Sequence, residues 1–319
     1  MNLVVIYDVS SLAHTGNWAT QGFFYEDVKF QALPFIFSKV ANYTQKSEDV
    51  TFAFDPEIRG EFHTTNPLKP NRQLKPEVLR EINTFWEIAN WCDMRCLRLP
   101  NVSADDLIYS FCQDNPNMTK WIVSADKDLA CNVNETTSIL SFSSASYNIN
   151  IRNFEDLMQF PLNLTNVEKV FRGCQSDAIK GVTKGNSLWQ KFLATHHGAV
   201  TEETASKEYL LSWVRTNVPD WEQAVKENIK KVYPVKVDTT QFYEWAHWEL
   251  WNALAFEMFG NQKYYNSRVP TRGLTQDELN KLIDIIQNTS AVRPSIMEPS
   301  LTISTTFVQK GDNDLDLEI

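Results

Sequence analysis

The chain has 319 residues, of which 43% are hydrophobic, a formal net charge of −10 and five cysteines. This apolar fraction excludes a largely disordered chain, and the acidic balance argues against nucleic-acid binding through bulk positive charge. An odd number of cysteines in a long chain argues against a disulfide framework, and no apolar run reaches the length of a membrane span, so we expect a cytoplasmic protein with no membrane partner.

The first residues predict a parallel α/β sheet. Residues 3–7 and 50–54 are nearly continuous apolar runs, which is typical of strands buried on both faces. Residues 27–43 between them carry apolar side chains at helical spacing. The order strand, helix, strand is typical of a βαβ unit with parallel strands. The predicted fold class is therefore α/β, with a central, mostly parallel sheet flanked by helices.

Further elements follow in the same order. Residues 56–72 show no clean periodicity and predict an ordered loop with positive charge. The next helix is predicted at 76–90, and Ser103 is a suitable N-cap for the helix after it. Further strands are predicted at 94–99, 121–124, 138–142 and 147–151. Further helices are predicted at 126–133, 154–158, 167–172, 187–195, 207–214, 221–232, 241–259 and 277–286.

The composition changes near residue 200. We expect an α/β domain over residues 1–200 that includes a helical hairpin at 165–195, then a helical region over 201–290 and a flexible acidic tail over 291–319. The aromatic face of residues 241–259 favours packing in the core over stacking on bases. Alternating Asp and Leu in the tail would suit docking on a sliding clamp or a single-strand binding protein, or a solvated end.

Seven aspartates lie near the ends of predicted strands or the starts of predicted helices: Asp8, Asp55, Asp105, Asp106, Asp126, Asp128 and Asp177. The carboxyl ends of parallel strands share one edge of a sheet, where ligands bind. Carboxylates brought together there repel each other, and a hard divalent cation such as Mg²⁺ or Mn²⁺ relieves the repulsion. Two ions about 4 Å apart can promote phosphodiester hydrolysis. We expect no His in this cluster, which disfavours zinc.

Six segments within the first 195 residues form an ordered series. They are Val5-Ile6-Tyr7-Asp8, Phe52-Ala53-Phe54-Asp55, Leu68-Lys69-Pro70-Asn71-Arg72, Ser103-Ala104-Asp105-Asp106, Ser124-Ala125-Asp126-Lys127-Asp128 and Gly173-Cys174-Gln175-Ser176-Asp177-Ala178. The series resembles the motifs of the 5′-nuclease, or flap endonuclease, family, and within it the RNase H-type 5′-to-3′ exonucleases of T-even phages. Beyond residue 200 the resemblance is one of length and helical character.

The resemblance implies a metal-dependent nuclease acting on DNA with 5′ ends or flaps, or on RNA–DNA hybrids, in the host cytoplasm if the chain comes from a phage. It assigns a first ion to Asp8, Asp55, Asp105 and Asp106, and a second to Asp126, Asp128 and Asp177. The catalytic residues that would contact the scissile phosphate are Lys69 and Arg72. The residues that would hold duplex backbone are Lys180 and Lys184.

Two positions depart from the family motifs. Ser103 stands where the family has Glu, and Cys174 stands where it has the first Asp of the last motif. Each change removes a charged ligand, and a thiol is poorly matched to Mg²⁺. Three functions therefore stay open: an active 5′ nuclease, a weakened or inactive relative that binds branched or single-stranded DNA or replication proteins, and a ribonuclease-like activity on the same carboxylates.

Overall fold

The computed structural model describes residues 3–19, 22–47, 49–56, 75–100, 102–140, 162–174, 179–182, 187–198, 200–201, 203–239 and 246–291. The strand predicted at 147–151, the helix predicted at 154–158, almost all of the predicted basic loop and the predicted tail beyond residue 291 lie outside these residues. None of the helices within the described ranges is long and apolar enough to cross a membrane.

Seven strands occur in the described chain: β1 (Leu3–Asp8), β2 (Phe23–Tyr25), β3 (Val28–Phe30), β4 (Val50–Ala53), β5 (Arg95–Leu97), β6 (Thr119–Val123) and β7 (Thr137–Leu140). Five of them form one sheet in the order β5-β4-β1-β6-β7, and every pairing in it is parallel. The predicted fold class is thus confirmed. The strand order reverses between β1 and β6, and ligands bind at such a switch point, outside the carboxyl ends of the strands.

The described residues also form ten α-helices: α1 (Val9–Ala19), α2 (Ala32–Thr44), α3 (Pro76–Trp91), α4 (Ala104–Asp114), α5 (Leu162–Arg172), α6 (Ser187–Thr195), α7 (Lys207–Asn217), α8 (Glu222–Val232), α9 (Trp248–Phe259) and α10 (Gln276–Ala291). The helix predicted at 126–133 is a short 3₁₀ helix, Lys127–Asn132. The predicted N-cap of α4 is confirmed, because the Ser103 hydroxyl accepts a hydrogen bond from the Asp106 N–H.

The region between β1 and α2 differs from prediction. The helix predicted at 27–43 begins only at Ala32, because residues 23–30 form the antiparallel hairpin β2–β3. Glu26 and Asp27 have φ angles of 46° and 60°, as the two central residues of a tight hairpin turn require. The helix α1 was not predicted. Its Gly16 lies so close to α2 that a Cβ there would approach the Phe35 Cβ to 2.7 Å.

The buried hydrophobic side chains of the described part of the chain form three clusters. The largest joins β1, β4, α1, α2 and α3 to the distant helices α9 and α10, and Trp251 of α9 stacks on Phe37 of α2 at 4.2 Å between ring centroids. A second packs α4 on the other face of the sheet. A third consists of α5 to α8 and the segments that join them. The cores therefore group residues 162–233 together and attach residues 248–291 to the sheet, while the domain boundary at residue 200 stays a prediction.

Candidate functional site

A cavity of about 420 Å³ opens at the carboxyl edge of the sheet. Four carboxylates line it: Asp8 at the end of β1, Asp55 after β4, Asp105 in the first turn of α4 and Asp126 after β6. The remaining wall consists of Ser10, Ser11, His14, Thr15, Ala104 and Ala125. The structure therefore brings four of the seven predicted metal residues together at the switch point between β1 and β6.

Asp8 is the most buried of these carboxylates, with 4% of its surface exposed. It accepts hydrogen bonds from the Ser124 hydroxyl at 2.7 Å and from the Ser11 N–H at 3.1 Å. Burial, followed by the negative charges of Asp105 and Asp55, nevertheless raises the pKa of Asp8 to about 7. A buried carboxylate facing two others fits a cation, because a nearby positive charge stabilises its ionised form and offsets the repulsion.

Hydrogen bonds from backbone amides fix Asp55 and the loop that carries Asp126. Asp55 accepts a hydrogen bond from the Ala104 N–H at 3.0 Å, at the positive N-terminal end of α4. The Ser124 hydroxyl accepts one from the Asp126 N–H at 2.9 Å. The Ala125 N–H donates to the Ser11 hydroxyl at 3.0 Å, which joins the loop after β6 to α1. The four carboxylates thus supply oxygen donors on a hydrogen-bonded frame, the chemistry that a hard divalent cation prefers.

Residues 4–159, which hold all four cavity carboxylates, match the family described as 5′-3′ exonuclease, N-terminal resolvase-like domain. This part of the chain belongs to the 5′-nuclease family. No curated protein sequence matches it. One similar solved structure is a bacteriophage T5 protein co-crystallised with metal ions, which is 13% identical with a TM-score of 0.50 and aligns over 91% of this chain and 100% of that one. At this identity the match supports the shared fold.

Two other solved structures are similar at lower TM-scores. A bacteriophage T5 flap endonuclease variant in a pseudo-enzyme–product complex with DNA and metal ions is 14% identical, with a TM-score of 0.45, over 91% of this chain and 99% of that one. Human GEN1 in complex with Holliday junction DNA is 12% identical, with a TM-score of 0.48, over 92% of this chain and 75% of that one.

His14 is a cavity residue that the sequence analysis missed. It lies on the wall with the carboxylates, so the expectation that the cluster contains no His is wrong. The error follows from α1, which was not predicted and which turns His14 and Thr15 toward the cavity. Ser11 and Ser124 were also missed as supports of Asp8, although both follow strand ends in the sequence.

Asp106 makes its hydrogen bonds outside the cavity. It is not among the described residues that line the cavity. One carboxylate oxygen accepts a hydrogen bond from the Val235 N–H at 2.8 Å, and the other accepts one from the Ser103 hydroxyl at 3.0 Å. Ser103, which replaces the family Glu, is thus occupied with capping α4 and holding Asp106.

Asp106 is the first of three polar side chains on α4 that hold an extended segment, residues 235–239, which we call the strap. Ser110 accepts a hydrogen bond from the Val237 N–H at 2.8 Å, and Asp114 accepts one from the Thr239 hydroxyl at 3.1 Å. The three contacts on α4 and those on the strap have the same spacing. Four residues of a helix and two residues of an extended chain both span about 6–7 Å. The strap thereby connects the cluster α5–α8 to the site helix.

We expect Asp106→Ala to release the strap. Its amides should exchange hydrogen faster, and the free energy of unfolding should fall by about 1–3 kcal/mol, because the Val235 N–H and the Ser103 hydroxyl lose hydrogen bonds to a charged acceptor. Asp105→Ala, the neighbouring control, should leave exchange in the strap unchanged and weaken Mn²⁺ binding. Hydrogen exchange followed by mass spectrometry over residues 233–239 checks both. If Asp106→Ala lost Mn²⁺ binding while hydrogen exchange in the strap stayed unchanged, Asp106 would be a metal ligand.

Asp128 is paired with a cation from the same chain. The Lys169 ammonium of α5 lies 2.5 Å from each of the two Asp128 carboxylate oxygens. Among the described residues, Asp128 is not part of the cavity wall. A second metal ion at Asp128 would therefore compete with this ammonium.

Removing the ammonium should expose that competition. We expect Lys169→Met to bind Mn²⁺ more tightly, by about fivefold or more, because an opposite charge within about 4 Å stabilises a carboxylate and its loss leaves Asp128 to the metal. Lys169→Arg keeps the charge and serves as the control, with wild-type affinity. Titration of free Mn²⁺ by electron paramagnetic resonance measures the change. Weaker binding in Lys169→Met would show that Lys169 supports the metal site instead.

The other predicted site residues have varied outcomes. Lys69, Arg72, Asp177 and Lys184 lie outside the described residues. Lys180 is exposed, and its carbonyl accepts a hydrogen bond from the Asn228 side chain at 3.0 Å. Cys174 pairs with Ile179 through two backbone hydrogen bonds of 2.9 Å. Within the described ranges, no three His, Cys, Asp or Glu side chains are close enough together to hold a metal ion as they stand.

Proposed function

We propose that this chain is a divalent-metal-dependent 5′ nuclease that hydrolyses phosphodiesters of DNA or RNA primers at 5′ ends and flaps. The observation that carries the proposal is the cavity itself. Carboxylates from four separate segments converge at the switch point of a parallel sheet, inside the domain that matches the 5′-3′ exonuclease family. Such a concentration of negative charge is unfavourable unless cations bind there.

The proposed cofactor is Mg²⁺ or Mn²⁺, with two ions per active site. Asp8, Asp55 and Asp105 would hold the first, Asp106 joining only if the strap released it. The second would fall to Asp126, Asp128 and Asp177. When bound, such ions supply Lewis-acid stabilisation of charge that develops on the phosphate. The protein's part is to fix Asp8 through Ser11 and Ser124, so that the donors are in place before substrate arrives.

The proposed nucleic-acid contacts are Lys69 and Arg72 on the scissile phosphate, and Lys180 and Lys184 on duplex backbone. The substrates would be replication intermediates, including RNA–DNA hybrids, and the acidic tail would dock on a single-strand binding protein or a sliding clamp. All five cysteines lie in the described chain as thiols, which supports a reducing compartment such as the cytoplasm, of a host cell if the chain is viral.

Cleavage of a 5′-labelled flap and of a nicked duplex, with Mg²⁺ or Mn²⁺ titrated, tests the proposal. We expect wild-type protein to release the flap and Asp126→Ala to cleave it at least about 100-fold more slowly. Removing a residue that only orients a metal ligand slows a reaction by up to about 100-fold, and removing the ligand itself should slow it more. Gel shift in EDTA shows whether the variant still binds. The absence of wild-type cleavage at every metal concentration would overturn the proposal.

A specific observation favours a second candidate function. Ser103 caps α4, Asp106 holds the strap and Lys169 neutralises Asp128, so three motif positions serve the fold in this chain. Motif positions that hold the fold instead of a metal ion are expected in a relative that binds branched or single-stranded DNA, or replication proteins, without cutting. Protein that shifts a flap on a gel yet does not cleave it in either metal would support this second function.

A further inference from the structure

The most exposed large hydrophobic side chain of the described residues is Trp18, with 78% of its surface accessible. Trp18 lies near the end of α1. His14 and Thr15, one helical turn earlier, line the carboxylate cavity. Residues three and four apart share one face of a helix, and one turn advances about 5.4 Å. The indole therefore lies on the same side of α1 as the cavity, a single turn beyond its rim.

A positive charge accompanies the indole. The Lys75 ammonium, on the residue before α3, lies 4.6 Å from the centroid of the Trp18 ring. The two residues come from distant parts of the sequence and meet at the surface. An aromatic face beside an ammonium is the combination by which proteins hold single-stranded nucleic acid, since the base stacks on the ring and the phosphate contacts the cation.

We propose that Trp18 stacks on a nucleobase of the strand whose phosphodiester reaches the carboxylate cavity, and that Lys75 contacts a phosphate next to that base. The inference rests on the proposed nuclease function and adds a contact with the bases. Stacking accepts any base, because every base has an aromatic face, so this contact would position the strand without selecting its sequence.

Binding and cleavage of 5′ flaps by Trp18→Ala and Trp18→Phe test the inference. Trp221→Ala is the matched control, because Trp221 is 39% exposed and lies beside α8 in the separate helical cluster. Fluorescence anisotropy in EDTA gives the dissociation constant, and single-turnover cleavage in Mg²⁺ gives the rate. Each protein is measured on a normal flap and on one with abasic sites in the flap and at its junction.

On the normal flap we expect Trp18→Ala to bind about 10-fold more weakly than wild type, Trp18→Phe to lose less and Trp221→Ala to match wild type. On the abasic flap the affinity of wild-type protein should fall to the value that Trp18→Ala has on the normal flap. The affinity of Trp18→Ala should be the same on both flaps. Equal losses on both flaps, or a Trp18→Ala that matches Trp221→Ala, would overturn the stacking role alone. Wild-type protein that neither binds nor cuts any flap would overturn the nuclease proposal as well.

Discussion

Asp8→Asn is expected to lower flap cleavage by more than about 100-fold and, in the absence of metal, to make the protein more stable at pH 8 than wild type. Both effects have one cause. The Asp8 carboxylate is buried opposite Asp105 and Asp55, where its charge is unfavourable without a cation. An amide keeps the shape, and its oxygen can accept from the Ser11 N–H while its NH2 donates to the Ser124 hydroxyl oxygen. It carries no charge to bind metal or to repel its neighbours.

The pH dependence has a definite sign. The pKa of Asp8 is about 7 in the folded protein and about 3.9 for an Asp in an unfolded chain. The protonated carboxyl therefore stabilises the metal-free fold fully below pH 4, and this contribution disappears as the pH rises from 4 to 7. Its full size is up to about 4 kcal/mol, because each pKa unit corresponds to about 1.4 kcal/mol.

Urea unfolding in EDTA at pH 5 and pH 8 measures this difference. Wild-type protein should lose more stability between the two pH values than Asp8→Asn does. Asp220→Asn, which removes an exposed carboxylate in the helical cluster, is the control and should follow wild type. Identical pH dependence in wild type and Asp8→Asn would contradict the electrostatic account of the cavity.

Trp251→Ala is expected to lower the free energy of unfolding by about 3–5 kcal/mol, the usual cost of truncating a buried aromatic side chain. Trp251 is fully buried, stacks on Phe37 at 4.2 Å and meets the edge of Phe85 at 5.9 Å between ring centroids. Phe256 lies on the same helix with 49% of its surface exposed, so Phe256→Ala is the control and should cost less than about 1 kcal/mol. Midpoints of urea unfolding give both values.

The same contact concerns the limits of the folded unit. Because α9 and α10 complete the core around α2 and α3, a fragment of residues 1–200 should not fold cooperatively. Circular dichroism during thermal unfolding would show a broad transition or none. A fragment with a sharp, full-chain-like transition would support the predicted boundary at residue 200 instead.

The sequence by itself determined the strands of the sheet. A strand buried on both faces must be apolar along its length, so β1, β4 and β6 could be recognised locally, and each is followed by an Asp at or near its carboxyl end. Parallel pairing then brings those carboxylates to one edge, which is why Asp8, Asp55 and Asp126 could be assigned to one site. The hairpin β2–β3 was missed because three-residue strands leave no periodicity to read.

Only the tertiary structure decided which way the remaining side chains turn. Asp105 and Asp106 are adjacent and chemically identical, yet one faces the cavity and the other holds a strap that arrives from residue 235. Asp128 meets an ammonium from α5, and α9 returns to the first core across some 200 residues of chain. Such contacts depend on segments far apart in sequence, whereas helical and strand periodicity records only whether a side chain is buried, not which partner buries it.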